Sequence, residues 1–183
     1  MPIKFIATCL TPQQVQACAS LGVEVMQGYA SSHGEIVPGC VTDFSVHCFN
    51  SATLEILKNL GVGRATLHPE LNLAQVRDIE KCIDTEIVIY GKIPLMKLGN
   101  PLKNGYITDR KGTSFFIQEG KLYNSIPIFM ADKLMDVEKA GISHGRLIFT
   151  TENIDQVREV IKAYMYRKMI KIEFTRGKFY SRV

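Results

Sequence analysis

The chain has 183 residues, of which 46% are hydrophobic and 22% are charged, and its formal net charge is +4 at pH 7. This ordinary globular composition excludes a disordered, collagen-like or coiled-coil protein. Its apolar runs fall far short of the roughly 20 residues that a membrane span needs, so we expect no membrane partner. The length suits one domain, which we expect to span residues 1–183. No secretory signal is readable, so we expect a cytoplasmic location.

Strand-like apolar runs alternate with helical patterns along the chain, as in parallel β/α proteins. Residues 3–10 predict the first strand, and Thr11 and Gln14 form a capping box for the helix that follows. Further strands are predicted at residues 23–27, 43–49, 64–67, 86–90 and 146–149, with a possible seventh at residues 126–130. Helices are predicted at residues 51–60, from a second capping box at Asn72 and Gln75, at residues 132–140 and at residues 153–166.

Residues 92–125 interrupt this alternation. Short runs at residues 108–111, 113–118 and 121–124 predict antiparallel strands that turn at Gly112 and Gly120. We therefore expect a small antiparallel excursion on one loop of the main fold.

The number of strands leaves two architectures open. A complete (β/α)8 barrel takes about 250 residues and at least about 200, so the chain is too short for one. An incomplete barrel and a doubly wound open sheet remain. Residues 8–11 lack the glycine-rich phosphate loop that favours the open sheet. We predict an α/β fold, an incomplete TIM-like (β/α) barrel of about six parallel strands.

The five cysteines are scattered along the first half of the chain. They are Cys9, Cys18, Cys40, Cys48 and Cys82. Their odd number and the absence of any C-x-x-C pair are unlike a disulfide framework, so we expect reduced, buried structural thiols. The four histidines also lack zinc-ligand spacing, and we expect no metal.

Residues just after the predicted strands are the candidate substrate-binding residues, because parallel β/α folds place function at the carboxyl ends of their strands. Asn50 follows the third strand, and His68 and Glu70 follow the fourth. His68 and Glu70 form a titratable pair suited to acid–base work. The carboxylate of Glu70 fits equally a role at the start of the next helix.

Three basic residues complete the candidate substrate-binding set. Arg110 and Lys111 stand in a predicted turn, where they suit either an anionic partner or a structural ion pair. Arg146 begins the last predicted strand.

The end of the chain is strongly basic. Residues 162–183 contain seven basic residues and one acidic residue, which gives +6. Five aromatic rings are interleaved with them, a pattern that suits phosphate contact and base stacking. The candidate RNA-binding residues are Lys168, Lys171, Arg176 and Lys178. A solvated last helix followed by a basic strand explains the same charges.

Several short motifs occur in an order and spacing that resemble the collagenase-like peptidases, peptidase family U32. They are DFSV at residues 43–46, TLHPEL at 66–71, GKIPLM at 91–96, DRKG at 109–112, NSIP at 124–127 and TRG at 175–177. The resemblance extends over residues 23–182. It implies the C-terminal part of a TIM-like barrel, with the first two βα units absent.

The resemblance also implies an activity. Family members are regarded as proteases, and others assist the hydroxylation of tRNA, ribosomal RNA or a quinone precursor. Those assisting members hold an iron–sulfur cluster through cysteines in the region after the strand that corresponds to residues 86–90. Here residues 91–112 contain no cysteine, and Asn100 and Pro101 stand where close relatives carry Cys-Pro. Four thiolates are the usual ligands, so we expect no such cofactor.

Three functions are compatible with the sequence. The first is a peptidase-family hydrolase that binds peptide in a strand-end pocket. The second is an RNA-binding or RNA-modification accessory protein that uses the basic tail. The third is a structural half-barrel whose open strand edges are covered by a second copy or another chain, which predicts a homo-oligomer or a partner chain.

Overall fold

The computed structural model describes residues 2–9, 11–26, 29–30, 36–99 and 103–181. The first half of the chain contains β1 (Lys4–Cys9), α1 (Pro12–Ser20), β2 (Glu24–Val25), β3 (Tyr29–Ala30), β4 (Val41–Thr42), α2 (Ser51–Asn59), β5 (Arg64–Thr66), α3 (Leu73–Asp78) and β6 (Asp84–Gly91). The second half contains β7 (Pro94–Lys97), β8 (Gly105–Thr108), β9 (Ser114–Gln118), β10 (Lys121–Tyr123), β11 (Ile128–Phe129), α4 (Leu134–Lys139), β12 (His144–Phe149) and α5 (Ile154–Tyr166). Among all the described residues, no helix is long and apolar enough to cross a membrane.

The predicted capping boxes are confirmed. The Thr11 side chain accepts a hydrogen bond from the Gln14 backbone, and the Gln14 side chain accepts one from the Thr11 backbone, at the start of α1. Asn72 and Gln75 make the same reciprocal pair at α3. Each pair satisfies two backbone N–H groups that a helix start would otherwise leave without a partner.

Seven parallel strands of the described chain form one curled sheet in the order β2-β1-β12-β6-β5-β4-β3, which confirms the incomplete barrel. The two ends of this sheet, β2 and β3, are consecutive in the chain. Four Cα–Cα steps of 3.8 Å separate Val25 from Tyr29, so the two residues lie within about 15 Å of each other. The sheet is therefore curled enough for the three residues between β2 and β3 to connect its two end strands.

Alternate residues of the strands face opposite sides of this sheet. Ala7, Ile87 and Leu147 belong to the apolar core between the sheet and its helices. Glu86 and Arg146, on the other face, lie inside the curl and contact each other. The outer face thus holds the fold together, while the inner face carries charge.

The predicted strand at residues 43–49 is wrong. The strand is Val41–Thr42, and a 3-10 helix follows at Phe44–Val46. His47 ends this turn with φ 58°, in the left-handed region, and Cys48 makes only an isolated bridge to Leu67. Apolar alternation in this run resembles a strand, but the chain has already turned at the mouth of the barrel.

The possible seventh strand also differs from the prediction. β11 pairs with β6 antiparallel, so it does not join the parallel set. β3 and β4 are members of the sheet that the sequence did not predict. Residues 10, 27 and 100–101, which take part in the sequence predictions, lie outside the described residues.

The antiparallel excursion is confirmed as a four-stranded sheet in the order β7-β10-β9-β8. Its turns use Gly112 (φ 84°) and Gly120 (φ 69°), where glycine avoids the strain that a side chain would bring. Three rings lie in a row across one face of this sheet, with Tyr106 beside Phe116 and Phe116 beside Tyr123.

Candidate functional site

Four charged side chains meet inside the curled sheet, and we call them the charged cluster: Asp43, Arg64, Glu86 and Arg146. Arg146 donates from Nε to Glu86 Oε1 and from Nη1 to Asp43 Oδ1, both at 2.7 Å. Its Nη2 donates to the hydroxyl of Thr66, also at 2.7 Å. Arg64 Nε lies 3.1 Å from Glu86 Oε2. The cluster is electrically neutral, with two cations and two anions.

Strand register explains how these residues meet. Thr66 on β5 and His144 on β12 are both direct neighbours of Glu86 on β6, so the three share the inner face. Arg146 is one inward-facing position further along β12. Asp43 follows β4, where the end of that strand approaches the guanidinium group.

Burial makes this cluster electrostatically strong. The Glu86 side chain is fully buried and 3% of the Arg146 side chain is exposed. Glu86 also accepts hydrogen bonds from Thr66 and Tyr29, so neither of its oxygens is left unpaired. Burial alone would lower the pKa of Arg146, but the charges of Glu86 and Asp43 raise it above its ordinary value. Arg146 therefore stays charged and fixed in place.

The ring of Tyr29 packs against one face of the Arg146 guanidinium group. The Arg146 Cζ atom lies 3.6 Å from the centre of the Tyr29 ring, within cation–π distance. Burial raises the pKa of Tyr29, so its hydroxyl remains protonated and donates to Glu86. Through Tyr29, the short strand β3 thus takes part in the site.

Three rings lie beyond the carboxyl ends of β4 and β5, and we call them the ring cluster: His47, Phe49 and His68. The ring centres of Phe49 and His68 are 4.3 Å apart, and those of His47 and His68 are 5.3 Å apart. The His68 backbone N–H donates to the Cys48 carbonyl, which joins the two chain segments. Phe49 is 37% exposed, so the cluster presents an apolar surface to solvent at the mouth.

The hydrogen bonds of His68 fix where its proton lies. Its Nδ1 accepts from the Glu70 backbone N–H at 3.3 Å, so the neutral ring carries its hydrogen on Nε2. Burial lowers the pKa of His68 below its ordinary value, with further effects from Glu70, His47 and Asp43. Near neutral pH the His68 ring is therefore neutral and can donate a hydrogen bond through Nε2.

The structure places the other predicted substrate-binding residues differently. Asn50 is exposed and caps α2, accepting from the Thr53 backbone N–H at 2.9 Å. Glu70 is exposed beside His68. Arg110 and Lys111 are exposed in the turn between β8 and β9, where neither forms an ion pair with any described residue. Of the six predicted residues, the structure brings His68 and Glu70 to the mouth, with Asn50 at the edge of the ring cluster, and places Arg146 inside the curled sheet, where it contacts Asp43.

The basic tail is divided between solvent and structure. Lys168, Lys171 and Lys178 are exposed. Arg176 instead forms two hydrogen bonds to the carboxylate of Asp132, at 2.7 and 3.0 Å, and donates to the Phe129 carbonyl. Its charge is therefore already paired.

Three of the five rings of the tail pack against the core, so they have less surface available for base stacking. Tyr164 and Phe179 are 1% and 3% exposed. Phe174 packs against Phe129, with ring centres 5.6 Å apart. These rings anchor the tail to the core.

Sequence reasoning missed Asp43, Glu86 and Tyr29 as members of the site. Glu86 carried a usable signal, because an acidic residue followed by four apolar residues in a buried strand requires a charged partner. Asp43 and Tyr29 carried none, since each depends on contacts with distant strands.

The curled parallel sheet is that of an incomplete barrel, and the charged residues inside it and the rings at its mouth make its carboxyl end a candidate site. The model of peptidase family U32 matches residues 35–115 of this chain, a segment that holds Asp43, the ring cluster and Glu86. This partial match confirms the resemblance to the collagenase-like peptidases over those residues. No curated protein and no solved structure gives a significant match.

The prediction that this chain holds no iron–sulfur cluster rests on the residues of one segment. Residues 91–112 supply no cysteine. Cys9 and Cys18 are buried together between β1 and α1. Within the described ranges, no three His, Cys, Asp or Glu side chains are grouped as metal ligands.

Stability is expected to fall as the pH drops from 7.5 to 5.5. Burial lowers the pKa of both His68 and His144 below 6.5, so the unfolded chain binds protons first as the pH falls through that value. This contribution is complete above pH 6.5 and is lost as the pH falls through the folded-state values. Urea unfolding at both pH values measures it.

A double variant isolates the histidines. His68→Gln with His144→Gln should show a smaller loss between the same two pH values than the wild type. The Glu138 carboxyl, whose pKa is held below 4.5 by Arg167, titrates outside this window. An equal loss in both proteins would contradict the assignment.

Proposed function

We propose that this chain is a peptidase-family protein that binds an extended peptide at the carboxyl end of its barrel. The observation that carries the proposal is the half-exposed ring cluster, whose His68 lies within electrostatic range of the Asp43 carboxylate. Both features lie in the segment that matches the family.

The chemistry of these groups suits a peptide backbone. The Nε2–H of His68 can donate to a peptide carbonyl, and the faces of His47 and Phe49 can pack against apolar or proline side chains. Arg146 holds only Oδ1 of Asp43, whose side chain is 22% exposed. The second oxygen can accept from a peptide N–H.

The charged cluster supports this site from within the barrel. Arg146 fixes Asp43 and is itself fixed by Glu86, Thr66 and Tyr29, so the acceptor is oriented before peptide arrives. Orienting polar groups in advance reduces the entropy lost on binding. These contacts support peptide binding, and they do not bear on cleavage.

We also propose a cytoplasmic location, in which the five cysteines would stay reduced.

Phe49→Ala is expected to weaken peptide binding by about tenfold or more, because a partly exposed ring at the centre of such a site contributes on the order of 1.4 kcal/mol. Fluorescence anisotropy with a labelled proline-rich gelatin fragment measures the affinity, and the same samples show whether the fragment is cleaved.

Ile56→Ala is the matched control, since Ile56 is 60% exposed on α2 and lies outside the ring cluster. This variant should bind like the wild type. Equal affinities for all three proteins, or no binding by the wild type, would contradict the proposal.

RNA binding is a second candidate, which the exposed lysines of the tail favour. Two acidic side chains that contact the tail are already paired: Asp132 with Arg176, and Glu138 with Arg167. Lys168, Lys171 and Lys178 form no ion pair with any described residue, which leaves excess positive charge there.

Replacing Lys168, Lys171 and Lys178 together by Ala should weaken binding of single-stranded RNA and lower its salt dependence by about 0.7 per lost contact, or about 2 in total. Titrations of labelled RNA at two salt concentrations measure both effects. The control is the equal charge change Lys97→Ala, Lys103→Ala and Lys121→Ala. Equal losses in the two triple variants would show nonspecific attraction and contradict this candidate.

We also propose that two copies of this chain associate through an exposed strand edge. The curled sheet brings its own ends together, so the exposed edge strands β7 and β8 of the small sheet are the better candidates for pairing with a second copy. Sedimentation at tens of micromolar tests this, and a monomer would contradict it.

A further inference from the structure

Two cysteines lie in direct contact between the first strand and the first helix. Cys9 is the last residue of β1 and Cys18 lies in α1, and their sulfur atoms are 3.6 Å apart. Cys9 is 7% exposed and Cys18 is fully buried. A disulfide bond is about 2.05 Å long, so the sulfurs need to approach by about 1.5 Å to form one.

The two thiols differ in acidity because they share a hydrogen bond. The contact with Cys9 lowers the pKa of Cys18, although burial opposes this, and the same contact raises the pKa of Cys9. The contact therefore lets one of the two sulfurs lose its proton while the other stays protonated and donates to it.

The pair also lies close to the mouth of the barrel. Gln14 in α1 donates to the carbonyl oxygens of Thr150 and Glu152, which follow β12, at 3.2 and 2.8 Å. A bond between Cys9 and Cys18 would close a ten-residue ring that ties the second half of α1 to the end of β1.

We propose that Cys9 and Cys18 are an oxidation site, at which a hydroperoxide forms an intramolecular disulfide. One of the two sulfurs, as the thiolate, attacks a peroxide oxygen and becomes a sulfenic acid, as the O–O bond breaks and the leaving oxygen takes a proton. The other sulfur then attacks the sulfenic acid, its own proton goes to the departing hydroxyl group, and water leaves. The two sulfurs give up two electrons in total, and the peroxide is reduced. This inference does not depend on the proposed function.

The other cysteines are expected to react differently. Burial raises the pKa of Cys48 to about 11, which keeps it protonated. Cys40 and Cys82 are partly exposed. Among the described cysteines only Cys9 and Cys18 have their sulfur atoms in direct contact. An oxidised thiol without such a contact is expected to gain oxygen instead of losing two hydrogens.

The experiment treats the folded protein with hydrogen peroxide, blocks the remaining thiols with iodoacetamide after unfolding, and cleaves it after glutamate. Glu24 is the first acidic residue, so the fragment of residues 1–24 contains Cys9 and Cys18 and no other cysteine. The proposal predicts that this fragment is lighter than its reduced form by about 2 Da, carries no block, and regains both hydrogens with dithiothreitol.

Two variants keep the test decisive. Cys40→Ser leaves the pair intact and should give the same light fragment. Cys18→Ser should give none, and its Cys9 should be blocked by iodoacetamide. Blocked thiols at both positions in treated wild type, oxygen addition at Cys9 or Cys18 located by fragment sequencing, or a disulfide formed by the other cysteines alone would overturn the proposal.

Discussion

Arg146→Ala is expected to lower the free energy of unfolding by about 3–5 kcal/mol, the cost of removing one partner from a buried ion pair. The substitution leaves Asp43 without its cation and removes one of the two cations beside the fully buried Glu86. It also leaves the Thr66 hydroxyl without its donor. Urea unfolding at pH 7.5 measures the loss.

Arg158→Ala provides the matched control for Arg146→Ala. Arg158 is half exposed and its closest approach to Asp155 is 3.8 Å, so this pair contributes at most about 0.5 kcal/mol. The loss in the free energy of unfolding should be several kcal/mol larger for Arg146→Ala than for Arg158→Ala. Similar losses would show that the charged cluster does not organise the barrel interior.

Gly91→Ala is the second change with a large expected effect, about 3 kcal/mol or more, since it forces the backbone to move at the mouth of the barrel. Gly91 ends β6 with φ 119°, a conformation that side chains rarely adopt. A Cβ atom there would overlap the backbone carbonyl oxygen of Ile148 on β12. The strands β6 and β12 would have to separate where they support the site.

Gly112→Ala separates this overlap from backbone strain alone. Gly112 has φ 84° in an exposed turn, and a Cβ atom there would meet nothing within 4 Å. Its replacement should cost about 1–2 kcal/mol, the penalty of the left-handed conformation. Equal costs in urea unfolding for Gly91→Ala and Gly112→Ala would contradict the close packing of β6 on β12.

Local features of the fold were predictable because their causes are local. The capping boxes at Thr11 and Asn72 depend on residues three positions apart, and both formed as predicted. The run at residues 43–49 misled because its apolar alternation is the same in a strand and in a short turn. The direction of β11 depends on its pairing with β6, which a local pattern does not contain.

The site was partly predictable for the same reason. His68 and Arg146 could be chosen because they lie on or just after predicted strands. The charged cluster could not, since Glu86 and Asp43 are 60 and 103 residues from Arg146 in the chain. Only the curl of the sheet brings them together.

Amide chemical-shift mapping with the proline-rich gelatin fragment tests peptide binding at the barrel mouth most directly. The account predicts saturable shift changes concentrated at residues 43–49 and 66–70, where the ring cluster and Asp43 lie, with little change in residues 167–181. Changes confined to residues 167–181, or none at any peptide concentration, would contradict it.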